Sequence, residues 1–489
     1  MRLHKFPAFI LAATGLGLLL SSHFAEAQAL EPGKVHEKVV CRNDLGQSYA
    51  LYLPSYFTAA QAWPVLFLFD PGARGAVAVG RFREAAEKFG WILTGSNNSR
   101  NGPWEPIARA AWAMWNDARN RIPFDERRIY AGGFSGGARV ASLFGRIISR
   151  NLAGIIGCGA GLNAALKPED IRPSAYFGIV GLSDFNYSEM KGLMAALDQA
   201  GIFNRLLVFE GGHAWPATEW CARAVGWMEL VSVQRDLREK SAALIEEVLN
   251  IEIKEGEALE KTGRIYWAVS RYEAARNLAK GLQEIRGIDE KIERLKKSTE
   301  YVRFLKDERK RDKRETETRQ RFARAVSAFE KDGAWRSEFP GLMRELKIAF
   351  LKDDLKKGQT VEDRSLASRL LFDLSFQSDS RAIEYYEKND MARAQIFLEL
   401  ALEACAEGNP RESYLLINLA CVSARLGDRK KALNYLEEAV DKGYSNVQAI
   451  EDAEDLAPLR ETPEFRTIIE RMKKSKSGGF QRSIGNSES

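Results

Sequence analysis

Gly133-Phe134-Ser135-Gly136-Gly137 places a serine among small residues, with an apolar run entering and a helical pattern leaving. Glycines at these positions permit a strained strand-to-helix turn that lifts a serine hydroxyl clear of a sheet. Such a hydroxyl is a weak nucleophile until a base takes its proton, so a histidine is required. The chain has four, and His4 and His23 fall in an N-terminal segment that reads as cleaved. His36 belongs to an N-terminal hairpin pattern, whereas His213 follows the run Leu206–Phe209 within a glycine-flanked loop. His213 is therefore the candidate base. A third group must orient the imidazole and stabilise its positive charge. Asp184, directly after the run Ala175–Val180, fits that role, and Asp170 and Asp198, in helix-associated segments, fit it less well. The oxyanion of an acyl-transfer step needs backbone N–H donors. One is expected from Gly136 and a second from the loop Asp70–Gly75, where Pro71 has no N–H and Gly72 is preferred to Ala73. Asn97, Asn98 and Trp104, in or beside a polar loop at a strand end, are candidate substrate contacts, with a merely solvated loop as the alternative.

These side chains need a frame that brings four loops together. Between residues 34 and 230 short apolar runs alternate with helical patterns. The runs are Trp63–Phe69, Trp91–Thr94, Arg128–Ala131, Gly154–Cys158, Ala175–Val180 and Arg205–Phe209. Helices are expected over Arg81–Phe89, Glu105–Arg121 and Gly136–Ser149. That alternation implies a mostly parallel sheet with helices on both faces. Residues 34–53 fit an antiparallel hairpin at its edge.

Composition divides the 489-residue chain near residue 232. Residues 28–230 carry 24 of the 39 glycines and eight of the ten tryptophans, whereas the longer remainder carries 13 and two. The second part reads as helix after helix. At the start, Arg2, His4 and Lys5 precede the apolar run Ala8–Leu20 and an Ala25-Glu26-Ala27 cleavage pattern. This is the form of a secretory signal over residues 1–27, and its apolar run is short of the ~20 residues that span a bilayer. The expectation is export, to a periplasm or outside the cell, with no membrane span after cleavage. The formal charge of +5, or +4 without that segment, argues against a nucleic-acid binder. Too few histidines and no C-x-x-C motif argue against a metal site. Cys41, Cys158, Cys221, Cys405 and Cys421 read mostly as small buried hydrophobes, and their odd number leaves at least one free thiol. The pair Cys405 and Cys421 falls on consecutive helices, mismatched by about 10 Å.

With Ser135, Asp184 and His213 in that chain order at strand ends, residues 34–230 resemble the α/β-hydrolase superfamily. The resemblance is to secreted esterases of the dienelactone-hydrolase and polyhydroxyalkanoate-depolymerase-like kind. It implies hydrolysis of a small acyl ester through an acyl-Ser135 intermediate, without a cofactor. Many members have His-Gly where this chain has Asp70-Pro71, which bears on the oxyanion loop. No cap domain is evident between the strands, which suggests an open pocket. A peptidase or acyltransferase using the same triad, or a non-catalytic binding platform, are the alternatives.

The second part is divided into a charged helical region over 233–375, repeats over 376–472 and a disordered tail over 473–489. Tyr301–Arg321 holds nine basic and five acidic residues of mixed sign, read as a solvated helix face. Ala382, Tyr385, Asn389-Asp390, Ala394, Leu398 and Ala401 recur 38 residues later as Ala420, Gly427-Asp428, Ala432, Leu436 and Ala439. These small and large positions resemble tetratricopeptide helix pairs and imply a surface for a protein or peptide partner, or an architectural role. Ala258–Leu282 is a fainter repeat, and Ala449–Met472 reads as a closing helix.

Overall fold

The computed structural model describes residues 30–331, 335–409 and 411–484. The signal segment expected over 1–27 lies outside the described residues. Eight strands form one sheet: β1 (Val35–Val40), β2 (Ser48–Tyr52), β3 (Trp63–Phe69), β4 (Ile92–Ser96), β5 (Phe124–Phe134), β6 (Gly154–Cys158), β7 (Ala175–Gly181) and β8 (Asn204–Phe209). Their order is β1-β2-β4-β3-β5-β6-β7-β8. β2 runs antiparallel to β1 and β4, and the remaining pairs are parallel. Helices α1 (Gly75–Phe89), α2 (Trp104–Arg121), α3 (Gly136–Ile147), α4 (Tyr187–Gln199) and α5 (Thr218–Gln234) complete this half. With helices on both faces a central strand has no solvated side, and every residue of β3 is buried. This layout is the α/β-hydrolase fold. Register aligns Phe69 with Gly133, Phe134 with Cys158 and Gly181 with Phe209, so the loops after β3, β5, β7 and β8 leave from one edge of the sheet.

α1 begins six residues before the expected Arg81. Gly75 reads as loop in sequence, but a Cβ there would stand 2.2 Å from the Gly95 carbonyl oxygen. The glycine serves a close helix–strand approach instead of a turn.

The second half is helical throughout its described length. Its elements are α6 (Ala242–Lys261), α7 (Ile265–Ala279), α8 (Ile288–Lys296), α9 (Thr299–Lys331), α10 (Trp335–Leu346), α11 (Ile348–Lys357) and α12 (Val361–Glu387). They are followed by α13 (Met391–Ala404), α14 (Arg411–Arg425), α15 (Arg429–Asp441), α16 (Val447–Asp452) and α17 (Pro463–Ile484). The two recurring segments form the helix pairs α12/α13 and α14/α15. Asp390 and Asp428, one repeat apart, each cap the second helix of a pair by accepting from an N–H three residues on, at 3.1 and 3.0 Å. Ala394, Leu398, Ala401, Ala432, Leu436 and Ala439 are buried, as the spacing requires.

Several expectations need correction here. The 375/376 division falls inside α12. The closing segment is broken into α16, a 3-10 turn over Glu454–Leu459 containing Pro458, and α17. Residues 473–484, expected as part of a disordered tail, continue α17 as helix. α9 is solvated on one face only: Lys306, Arg309, Lys310, Lys313 and Glu317 are exposed, whereas Arg311, Glu315 and Thr318 are buried. Its mixed charges pair with partners on α4, α11 and α12. Alternating sign is compatible with water or with buried ion pairs, and composition alone does not separate the two.

Candidate functional site

Ser135 stands between β5 and α3 with φ 53° and ψ −122°. A non-glycine residue held there stores about 1–3 kcal/mol of strain, which the surrounding packing must hold in place. The elbow closes because Gly133 and Gly137 lack side chains: a Cβ on Gly137 would lie 2.1 Å from the Phe69 carbonyl oxygen, and one on Gly133 would lie 2.4 Å from that of Gly137. The Ser135 N–H donates to the Cys158 carbonyl at 2.8 Å, fixing the turn to β6.

His213 Nε2 lies 2.9 Å from Ser135 Oγ. His213 Nδ1 lies 2.9 and 3.0 Å from the two Asp184 carboxylate oxygens. With Asp184 ionised and acceptor-only, Nδ1–H donates to it and Nε2 is left to accept the serine proton. Asp184 is only 1% exposed, and its Oδ1 also accepts the Asn186 N–H at 2.9 Å. The imidazole sits between Phe134 and Phe185, with ring centroids 4.7 and 4.5 Å away. The structure thus brings together Ser135, Asp184 and His213. His36 stays in the hairpin, its Nε2 3.1 Å from the Glu31 carbonyl.

Gly72 is not placed as expected. Its N–H donates to Asp70 Oδ1 at 2.8 Å, the Ala73 N–H to the Asp70 carbonyl at 2.9 Å, and the Arg74 N–H to Asp70 Oδ1 at 3.3 Å. Asp70 is buried and also accepts from Arg74 Nε and Nη2 at 2.8 and 2.9 Å and from Trp215 Nε1 at 2.7 Å. Burial alone would raise its carboxyl pKa, but the bonds from Arg74, Trp215 and Gly72 hold it below the ordinary aspartate value. The buried carboxylate turns these loop donors inward and ties the loop to the His213 segment through Trp215. Gly136 remains at the first turn of α3. Against its α-carbon lies the Asn101 amide: a Cβ on Gly136 would fall 1.9 Å from Asn101 Oδ1 and 2.9 Å from Nδ2. The Asn101 N–H donates to the Pro71 carbonyl at 2.9 Å, which anchors it beside the elbow. Asn101 lies in the polar loop read from the sequence, yet no sequence signal separated it from Asn97 and Asn98.

Those two asparagines are spent on the edge hairpin. Asn97 Nδ2 donates to the Glu37 carbonyl at 2.9 Å, and Asn98 Oδ1 accepts the Ser48 N–H at 2.8 Å. Trp104 lines a groove of about 860 Å³ along α2 and α3, with Trp112, Leu143 and Ile147, and none of the triad is in its wall. None of these three is thus placed as a contact at Ser135.

The site is not open on its histidine side. Phe372 and Phe376 of α12 lie near-parallel to Phe185 at 5.3 and 5.6 Å, and the Phe372 ring is 6.2 Å from that of His213. No cap is inserted between strands, but the helical half covers this flank from outside the sheet. All five cysteines are unpaired. Burial pushes Cys41, Cys221 and Cys421 up to about 12, so they remain protonated thiols.

No protein-family model matches this chain. No curated protein matches it either. Among solved structures it is similar to S-formylglutathione hydrolase (FrmB) from Staphylococcus aureus, at 15% identity over 37% of this chain and 90% of that one, with a TM-score of 0.30. It is also similar to esterase B from Lactobacillus rhamnosis, at 15% identity over 42% and 89%, with a TM-score of 0.35. An esterase from Thermogutta terrifontis gives 16% identity over 42% and 96%, with a TM-score of 0.33. The fold assignment stands on the chain's own strand order and elbow.

Proposed function

We propose that the chain is a serine hydrolase, acting on carboxylic esters through an acyl-Ser135 intermediate. The observation that carries this reading is the continuous chain of contacts Ser135 Oγ–His213–Asp184 at the tip of a strained elbow. His213 Nε2 takes the hydroxyl proton as Oγ bonds to the acyl carbon, and Asp184 stabilises the imidazolium formed. The oxyanion is met by the Gly136 N–H and the Asn101 side-chain amide. Collapse expels the alcohol, which leaves with the proton from Nε2. Water then attacks the acyl-enzyme with His213 again as base, releasing the acid and restoring Ser135. A peptidase would expel an amine by the same steps, and an acyltransferase would admit an alcohol in place of water.

A second reading, a non-catalytic platform on the same fold, is favoured by one observation: the Asp70 loop spends its N–H groups on itself. The pairs α12/α13 and α14/α15 support a tetratricopeptide-like role in holding a protein or peptide partner. The N-terminal charge, apolar run and cleavage pattern support export to a periplasm or beyond. The test of the enzymatic reading is turnover of p-nitrophenyl acetate and butyrate. We expect wild-type turnover that falls by at least about 10³-fold in Ser135→Ala. Equal rates for the two proteins would remove the esterase assignment.

A further inference from the structure

The loop that carries Asp184 is short. It leaves β7 at Gly181 and enters α4 at Tyr187, with the Asp184 N–H donating to the Gly181 carbonyl at 3.0 Å. Two carbonyls of this loop, on either side of Asp184, are held from the other half of the chain. Arg369 Nη1 donates to the Leu182 carbonyl at 3.1 Å, and Arg319 Nη2 donates to the Phe185 carbonyl at 2.8 Å. Both guanidiniums are fixed in turn. The Arg369 side chain is 2% exposed, donates from Nε to Glu315 Oε2 at 2.8 Å and lies over the Tyr187 ring at 4.8 Å. Arg319 donates to Glu315 Oε1 at 2.9 Å and pairs with Asp373. Phe372 and Phe376, one helical turn apart on α12, stack on Phe185, which packs on His213.

An imidazole is oriented only as well as the carboxylate beneath it; the N–H groups of Leu182, Ser183, Asp184 and Tyr187 tie that loop to its own half, and the two arginines add the ties at its Leu182 and Phe185 carbonyls. Planar guanidiniums aimed at carbonyls fix position more tightly than apolar contact does, and of these two Arg369 is buried and Arg319 partly exposed. We infer that Arg319 and Arg369 are positioning residues of the proposed active site, and that α9 and α12 are a structural part of it, not a tethered module. The inference rests on the hydrolase reading for its kinetic consequence, but the geometry it concerns, the seat of Asp184 beneath His213, is open to direct observation.

The full-length chain is compared with Arg319→Met, Arg369→Met, Arg369→Lys and Lys191→Met. Lys191 pairs with Glu308 and Asp312 across the same interface, lies over the Tyr187 ring and touches neither carbonyl, so its loss weakens docking while leaving both carbonyl ties in place. With p-nitrophenyl butyrate, Arg319→Met and Arg369→Met should lower kcat about 10-fold, with KM within about twofold. Arg369→Lys, which keeps a donor for the Leu182 carbonyl, should recover part of the loss, and Lys191→Met should match wild type. Wild-type kcat in Arg319→Met, or an equal loss in Lys191→Met, would overturn the inference. A second readout needs no turnover: the low-field proton resonance of His213 Nδ1–H, expected as a resolved line in wild type that broadens in Arg319→Met. A line missing from wild type, or unaffected by the substitution, counts against the inference even if the esterase assay fails. The esterase assay alone decides the hydrolase reading.

Discussion

At the scale of single residues, Asp70 alters what its neighbours can do. A carboxylate buried at the end of β3 gathers the Gly72 and Arg74 N–H groups, the Arg74 guanidinium and the Trp215 indole. An unpaired buried charge would cost several kcal/mol, so these donors are firmly engaged. Gly72 therefore cannot offer its N–H to an oxyanion without leaving Asp70. The Asn101 side-chain amide lies against Gly136 and is the donor proposed in its place. Asn101→Ala should lower kcat for p-nitrophenyl butyrate by about 10² with little change in KM, the signature of a bond made mainly in the transition state. Unchanged kcat would exclude Asn101 from that role. The triad was readable because a serine nucleophile requires a histidine and only His213 lay after the elbow in the chain. The hydrogen bonds that engage Gly72, Asn97 and Asn98 elsewhere are not legible in the sequence, because residue type does not reveal which partner has already taken a hydrogen bond.

At the scale of elements, legibility followed burial. β3, β6 and α2 were nearly complete in the sequence, since runs such as Trp63–Phe69 have one stable solution when both faces are covered. β5 extends four residues earlier than its apolar core because Asp125, Glu126 and Arg127 occupy its solvent-facing start. The repeat pairs were readable from the alanine and leucine spacing and from the capping Asp390 and Asp428. α9 was not. Its 33 residues carry so many paired charges that the buried stripe Arg311–Glu315–Thr318–Phe322 is masked in composition. That stripe faces α12, and Glu308 and Asp312 of the same helix reach α4, so the element that reads as most soluble is one of those that join the two halves.

At the scale of the molecule, the two halves share a polar seam as well as apolar contact, and that makes their union sensitive to acid. Burial alone would raise Glu315 and Glu308, but Arg369 and Arg319 hold Glu315, and Lys191 and Arg311 hold Glu308, below the ordinary glutamate value of 4.5. A carboxyl whose pKa is lowered on folding contributes stability above its unfolded value and loses it as pH falls through the folded value. Asp373, raised by burial, acts in the opposite sense but is one group against two. Thermal unfolding followed by tryptophan fluorescence should therefore show Tm falling between about pH 5 and about pH 3. A Tm that holds constant over that range would mean the seam contributes nothing to stability. On the proposed reading the covalent step draws on the elbow, the four loops and the seam together, and one measurement reaches it directly. Purified, folded protein is treated with a fluorophosphonate, and the adduct is located by peptide mass mapping. The expected result is a single adduct on Ser135, absent from Ser135→Ala and strongly slowed in His213→Ala. Wild-type protein left unlabelled, or labelled at another residue, would contradict the assignment of Ser135 as an activated nucleophile.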